Sequence, residues 1–197
     1  MENGVEIVLA PADILEAHFL KLFQSGLYLR GETGVSVKSF LTEQLCLTGQ
    51  YLEKRVQTVF LNGRAVDDLD STNVHDGSVL TLSAAMLGVL GATLRVGSRY
   101  AAMRSEISHH LDEGRPETGR GFVLLKLFNL LIRELGPGLL RNGVWINGER
   151  LKDFFEDLPE FFWKNCTGAE VDGRPATRKE LEGLLRAGSL VMVRLKD

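Results

Sequence analysis

Apolar residues recur every three or four positions in two stretches of the chain, one in each half. In the first stretch they are Val37, Phe40, Leu41 and Leu45, and in the second they are Leu151, Phe154, Phe155 and Leu158. This spacing puts each set on one face of a helix. Ser36 can cap the first helix, and Pro159 either limits the second helix or begins another turn. The pattern predicts one amphipathic helix in each half.

Short runs of β-forming residues, bounded by turn signals, follow each predicted helix. In the first half they are Val56–Leu61, followed by Asn62-Gly63, and Val79–Leu82, preceded by Asp76-Gly77. In the second half they are Ala169–Val171, followed by Asp172-Gly173, and Leu190–Leu195. Asn-Gly and Asp-Gly between such runs predict tight turns between strands. Thr177 and Glu180 have the spacing of a capping box, which predicts a further short helix that Gly188 can end.

Two apolar runs, Ile14–Phe23 and Phe122–Leu135, fit a helix as well as a strand, because periodicity does not separate the two in short runs. The first contains Leu20-Lys21-Leu22-Phe23, and the second repeats it as Leu125-Lys126-Leu127-Phe128. We therefore use the repeat to choose between helix and strand for the two runs. It predicts that His18–Phe23 is a strand, joined through a tight turn to a second strand at Leu27–Leu29.

The two halves share four short matches in the same order, which indicates a duplicated domain. Besides the Leu-Lys-Leu-Phe pair, Gly26–Glu32 resembles Gly143–Glu149, Asn62–Ala65 resembles Asp172–Pro175, and Gly77–Leu80 resembles Gly188–Val191. Each half then has the order strand, turn, strand, helix, strand, turn, strand. A helix on one face of a small mixed sheet buries the apolar sides of both.

This order resembles the β-grasp fold, and most of all the ubiquitin-like sulfur carriers, such as the small subunit of molybdopterin synthase and the thiamine sulfur carrier. The segments that carry the resemblance are Leu20–Phe23, Val35–Leu41, Val59–Val66 and Val74–Leu82. The resemblance covers residues 18–91, and more weakly 122–195. It implies an α+β fold of tandem β-grasp-like units, each a small mixed sheet packed on one helix. The predicted units are residues 1–95 and 121–197, with a polar connector at 96–120.

One feature of that family is missing from this sequence. The carriers end in Gly-Gly, whose carboxylate is activated and becomes a thiocarboxylate. This sequence contains no Gly-Gly pair, ends in Leu195-Lys196-Asp197, and runs on through Leu87–Ala92 where the tail of the first unit would lie. We therefore expect the fold without the carrier chemistry, unless the chain is cut near Gly91, and no carrier residue is transferred.

Composition and charge exclude several kinds of binding site and redox centre. The chain has 197 residues, is 44% hydrophobic and has a net charge of −3, which is typical of a globular protein and gives no electrostatic case for nucleic acid. Cys46 and Cys166 form no CxxC motif, which excludes zinc ribbons, thioredoxin-like centres and four-cysteine iron–sulfur clusters. Such thiols suit a reducing compartment as small buried apolar residues. The uncharged run Gly77–Leu94 fits a strand and a Gly-rich loop better than a membrane span, and no secretory signal is expected at the start.

A basic segment lies between the two predicted units. Residues 92–104 contain Arg95, Arg99 and Arg104 with no acidic residue, and Tyr100 follows Arg99. Guanidinium groups and backbone N–H groups of a Gly-rich turn can bind phosphate or carboxylate. No P-loop or GxGxxG pattern accompanies them. The segment is therefore either a solvated connector or a site for a small anion.

The second half contains the densest aromatic cluster: Phe154, Phe155, Phe161, Phe162 and Trp163. Either this cluster is the core of the second unit, or Phe161, Phe162 and Trp163 form a docking surface, since aromatic side chains anchor interfaces. The adjacent His109-His110 point to different sides of a helix or strand, so no metal site is predicted. No catalytic residue is predicted either, because no serine, cysteine or lysine stands in a nucleophile motif.

These patterns predict a cytoplasmic, non-enzymatic protein without a cofactor. Its expected partner is another protein, or a second copy of itself, bound through sheet edges and the aromatic cluster. Neither nucleic acid nor a membrane is an expected partner. The alternative is a small-anion binder, or an enzyme, built around Arg95–Arg104.

Overall fold

A computed structural model of the chain describes residues 4–84 and 118–197. The strands in these ranges are β1 (Glu6–Ala10), β2 (Leu27–Thr33), β3 (Val35–Ser36), β4 (Thr58–Leu61), β5 (Arg64–Ala65), β6 (Asn73–Val74), β7 (Val79–Ser83), β8 (Gly119–Phe128), β9 (Val144–Asn147), β10 (Gly168–Val171), β11 (Arg174–Pro175) and β12 (Leu190–Leu195). The helices are α1 (Ala12–Leu20), α2 (Leu22–Ser25), α3 (Val37–Ser39, continued by a π-helical turn at Phe40–Gln44), α4 (Gly49–Arg55), α5 (Leu130–Asn142), α6 (Gly148–Glu156), α7 (Glu160–Asn165) and α8 (Arg178–Leu184). This mixture of helices and strands confirms the general class.

The chain divides into two compact units, and these are interleaved along the sequence. Met1–Leu22 and Leu135–Asp197 form one, the terminal unit, and Phe23–Glu134 forms the other, the central unit. The predicted units, 1–95 and 121–197, instead follow one another along the chain. The predicted connector, 96–120, lies almost entirely outside the described residues.

In the described residues, each unit holds five strands of mixed sheet with the same pattern of directions. The order is β11-β10-β1-β12-β9 in the terminal unit and β5-β4-β7-β8-β2 in the central unit. The third and fourth strands of each series run parallel, β1 with β12 and β7 with β8. The other neighbours within each series are antiparallel. A short β3-β6 ladder belongs to the central unit.

The strand predicted at His18–Phe23 is wrong, because α1 and α2 occupy this run. Helix α1 buries Ala12, Leu15 and Phe19, at intervals of three and four residues. The second copy of Leu-Lys-Leu-Phe ends β8, where Leu125 and Leu127 are fully buried as alternate residues. The same four-residue sequence is thus helical in one half and a strand in the other. The secondary structure of such a short apolar run depends on which of its side chains the surrounding structure buries.

The other three matches each lie at a strand start or a hairpin in both units, and the first two lie at equivalent positions. The first match begins β2 in one half and β9 in the other, and the last precedes β7 and β12. The middle match forms the hairpins β4-β5 and β10-β11. Asn62 and Gly63 have φ angles of 52° and 78°, and Asp172 and Gly173 have 48° and 75°. Positive φ at both central residues is the signature of a two-residue type I′ hairpin, so both predicted turns are confirmed.

The local helix signals are confirmed as well. The Ser36 hydroxyl accepts a hydrogen bond from the Ser39 backbone N–H at 3.1 Å. Thr177 and Glu180 form the full capping box of α8. Pro159 stands at the N-cap of α7, so the chain turns there into another helix. The two caps join residues that are three positions apart in the chain, and the helix start at Pro159 depends on that proline alone. The local sequence therefore specifies all three features.

Part of the uncharged run Gly77–Leu94 is strand β7, as predicted, and residues 85–94 lie outside the described ranges. Among the helices that the structure describes, none is both long and apolar enough to cross a membrane.

Two buried threonines of the central unit provide a matched test of hydrogen bonding. Thr58 is 1% exposed and its hydroxyl has no partner within residues 4–84 and 118–197, whereas the hydroxyl of Thr33, 4% exposed, donates to the Gly119 carbonyl at 3.1 Å. An unpaired buried hydroxyl costs about 1–3 kcal/mol and a net hydrogen bond contributes about 1 kcal/mol. We expect Thr58→Val to raise the free energy of unfolding by about 1 kcal/mol and Thr33→Val to lower it by about as much. Urea unfolding followed by circular dichroism measures both; equal changes of one sign would contradict the assignment.

Candidate functional site

Helix α7 divides its three consecutive aromatic residues between the core and the surface of the terminal unit. Phe162 is 1% exposed. Its ring makes an edge contact with His18, with ring centroids 5.2 Å apart, and lies 6.2 Å from Phe19. Trp163 is half-buried, and its ring meets Phe162 edge-on at 5.1 Å. Phe161 points the other way and is 66% exposed.

The assignment of Phe162 to a docking surface is therefore wrong. Its side chain fills the core, together with Phe154 and Phe155, which are also buried. A six-residue helix turns about 100° per residue, so three consecutive side chains cannot share one face. The predicted core role is confirmed for Phe154, Phe155 and Phe162, whereas Phe161 is accessible and its docking role stays a prediction.

Arg178 of α8 contacts the half-buried indole of Trp163. The guanidinium carbon lies 4.7 Å from the centroid of the Trp163 ring, a cation–π contact. The same guanidinium pairs with Glu182, Nε to Oε1 at 2.7 Å, and with Glu160, Nη1 to Oε1 at 3.2 Å. The hydrogen bond to Glu182 is the main cause that raises the pKa of Arg178 above its usual value. The exposed face of α7, formed by Glu160, Phe161 and Lys164, is called the α7 surface below.

Two features hold the α7 surface in place. The indole Nε1 of Trp163 is buried without a hydrogen-bond partner in the described ranges, so ring contacts and Arg178 position this side chain. The capping box holds the start of α8 beside it. Hydrogen bonds from Thr177, first from its backbone N–H and then from its hydroxyl, lower the pKa of Glu180. The carboxylate therefore stays ionised, and keeps capping the helix, to a lower pH than a free glutamate would.

The sheet edges formed by β5 and β11 are poorly suited to docking. Each of these strands has two residues. Arg64, Arg174 and Pro175 are exposed on them, and proline lacks the N–H that a pairing strand would need. Short strands, charges and proline are the features that keep an edge from pairing with another chain. These two edges do not support the predicted docking through sheet edges.

The predicted anion-binding residues, Arg95, Arg99, Tyr100 and Arg104, lie outside the described residues, as does His109-His110. The structure neither brings the four together nor separates them. Within residues 4–84 and 118–197, no three histidine, cysteine or acidic side chains are grouped as they would be around a metal ion.

Both cysteines are free thiols, but their surroundings differ. Cys166 is half-buried, and burial raises the pKa of its thiol. A raised pKa lowers the thiolate fraction, which is the opposite of what a nucleophilic cysteine needs. Cys46 is exposed, so the expectation of a buried apolar thiol is wrong at this position.

Sequence reasoning missed an acidic groove of about 590 Å³ in the central unit. Its wall is the loop Asp67–Asp70, whose run of acidic residues was the available signal. Asp68 is committed to the loop itself: its Oδ1 accepts from the N–H groups of Asp70 and Ser71, and the hydrogen bond from the Ser71 side chain leads the causes that lower its pKa. Asp70 pairs with Lys38 at 3.0 Å. These contacts explain two of the acids as structural.

A second missed groove, of about 670 Å³, lies where β2 ends and β8 begins in the central unit. Arg30 and Arg120 line this groove. Glu32 lies directly opposite Arg120 in the strand register, two residues after Arg30. Arg30 lies over the Phe122 ring, with its guanidinium carbon 5.9 Å from the ring centroid. The carboxylate offsets part of the positive charge, so the rim has no strong preference for an anion.

Comparison of the chain with protein-family models, with curated proteins and with solved structures finds no match in any of the three.

Proposed function

We propose that each unit is a β-grasp-like module and that the chain is a non-enzymatic docking protein. Three observations support the fold assignment. Both units have five strands with a parallel pair inside an otherwise antiparallel series. Both have helices between the strands at equivalent points, and both carry the same type I′ hairpin. The free cysteines suit a reducing compartment, and we place the protein in the cytoplasm on that ground.

The α7 surface is the proposed docking site, and the exposed ring of Phe161 carries the proposal. A large apolar side chain that is 66% exposed, on a helix that Phe162 and Trp163 hold against the core, is the kind of residue that anchors an interface. Because Phe162 and Arg178 anchor the elements beneath it, a partner would bind without ordering this surface first. The partner is another protein or a second copy of the chain.

Two serine substitutions test this function. Phe161 and Leu130 are both large, apolar and more than half exposed, at 66% and 54%, but Leu130 lies in the central unit. We expect Phe161→Ser to weaken the complex about thirtyfold and Leu130→Ser to leave it unchanged, since a hot-spot residue contributes about 2 kcal/mol or more. Native mass spectrometry of gently purified protein, followed by titration of the recovered partner, gives the comparison.

The other outcomes of this experiment are equally informative. Equal retention of the partner by both variants would place docking elsewhere, and a bare monomer from the unsubstituted chain would contradict the proposal. A retained small molecule without protein would instead favour the alternative, the anion binder built on Arg95, Arg99, Tyr100 and Arg104. No observation within the described residues favours that alternative now.

A further inference from the structure

Strand β8 occupies an interior position in the central unit, although most of that unit precedes it by more than 30 residues in the chain. On one side β8 pairs with β2 in antiparallel register, from Leu27 opposite Leu125 to Thr33 opposite Gly119. On the other side it runs parallel to β7, from Val79 opposite Leu124 to Ser83 opposite Phe128. Both edges of β8 are therefore used by strands that come before residue 85.

Side chains make β8 part of the core as well. Val123, Leu125 and Leu127 are fully buried on one face of the strand. The carboxylate of Asp76 accepts a hydrogen bond from the Phe122 N–H at 2.7 Å, and the Asn129 amide donates to the Ser83 hydroxyl at 2.9 Å. Without β8, both β2 and β7 would expose a row of unpaired backbone groups and their apolar faces.

Strand β1 also has an interior position, in the terminal unit, and here the first half of the chain supplies the strand. It comes from the start of the chain and lies between β10 and β12, which come from the end. Ile7 and Leu9 are fully buried. Glu6 pairs with Arg194 at 3.1 Å, and its backbone N–H donates to the Asp172 carboxylate at 2.9 Å. Each half of the chain thus supplies one interior strand to a unit built mainly from the other half.

We propose that the two halves, residues 1–84 and 118–197, recognise each other by reciprocal strand complementation and stay associated when the chain between them is cut. The interaction surface of the first half is the slot between β2 and β7. The partner that fits it is an extended strand with the alternating apolar residues of β8, bound by backbone pairing on both edges as in β-augmentation. The second half offers the slot between β10 and β12 to β1. This association is independent of the α7 surface.

The test uses the full chain with the recognition sequence of a specific protease placed within residues 105–117. After folding and cleavage, we expect both pieces to elute together at the volume of the uncut chain, and native mass spectrometry to show one copy of each. Hydrogen exchange should leave the amides of β8 and β1 as protected as before the cut. Separate elution of the pieces in native buffer, or loss of protection in β8 and β1, would overturn the proposal.

A second experiment asks whether the strands recognise each other without a connecting peptide. The cut pieces are separated in urea and refolded alone and together. We expect the native circular dichroism and tryptophan spectra only from the mixture; native spectra from either piece alone would overturn the proposal. In the second piece, Leu125→Asp should weaken reassembly at least about tenfold, because it puts a charge at a buried position. Lys126→Asp, at the neighbouring half-exposed position, should change it less than about threefold.

Discussion

Replacing Phe162 with alanine is expected to lower the free energy of unfolding of the terminal unit by about 3–5 kcal/mol. The ring is 1% exposed and packs against His18, Phe19 and Trp163, so its removal leaves a cavity that those aromatic neighbours cannot close. The same change at Phe161, its neighbour in the chain, removes a ring that is 66% exposed and should cost about 0.5 kcal/mol or less.

Tryptophan fluorescence during urea unfolding measures this pair of variants. Both tryptophans of the chain, Trp145 and Trp163, belong to the terminal unit, so the signal reports on that unit. Trp145 lies on β9 and reports on the same unit, whereas the change next to Trp163 alters the emission of Trp163 itself. Equal losses of stability at Phe161 and Phe162 would contradict the division of the cluster into surface and core. A stable Phe162→Ala variant with a weakened partner complex would return Phe162 to the docking surface.

The second large effect distinguishes the two copies of Leu-Lys-Leu-Phe. Leu125→Ala should destabilise the central unit by about 2–5 kcal/mol, since Leu125 is fully buried inside β8. Leu20 is the matching residue of the other copy, but it stands half-exposed at the end of α1. Leu20→Ala should cost about 1 kcal/mol or less, because less area is lost and alanine favours a helix.

Far-UV circular dichroism in urea follows both leucine variants, because the central unit contains no tryptophan among its residues. The aligned sequence copies treat the two leucines alike, whereas the structure assigns them to different elements with different burial. Similar destabilisation by the two substitutions would support the sequence alignment and contradict the structure. The expected losses of about 2–5 kcal/mol and of about 1 kcal/mol or less differ by about 1 kcal/mol or more, which the shift of the urea midpoint resolves.

The candidate site could be foreseen only in part. The cluster of five aromatic residues was visible in the sequence, and so was the choice between core and surface. The choice depends on which side of α7 packs against the rest of the unit. Phe162 packs on His18 and Phe19, which belong to a helix more than 140 residues earlier in the chain. Arg178 also lies outside any local pattern that includes Trp163, so the cation–π contact had no sequence signal.

By itself the sequence determined the features that depend on a few neighbouring residues. Asn62-Gly63 and Asp172-Gly173 adopt positive φ because of their own side chains, and the caps at Ser36 and Thr177 bond within three residues. Only the tertiary structure decided which apolar run became a strand and which half of the chain supplied it. The interior strand β8 pairs with β2 and β7, and β1 pairs with β10 and β12. Such pairings are chosen by burial and backbone hydrogen bonds between residues far apart, and no local pattern in the sequence specifies them.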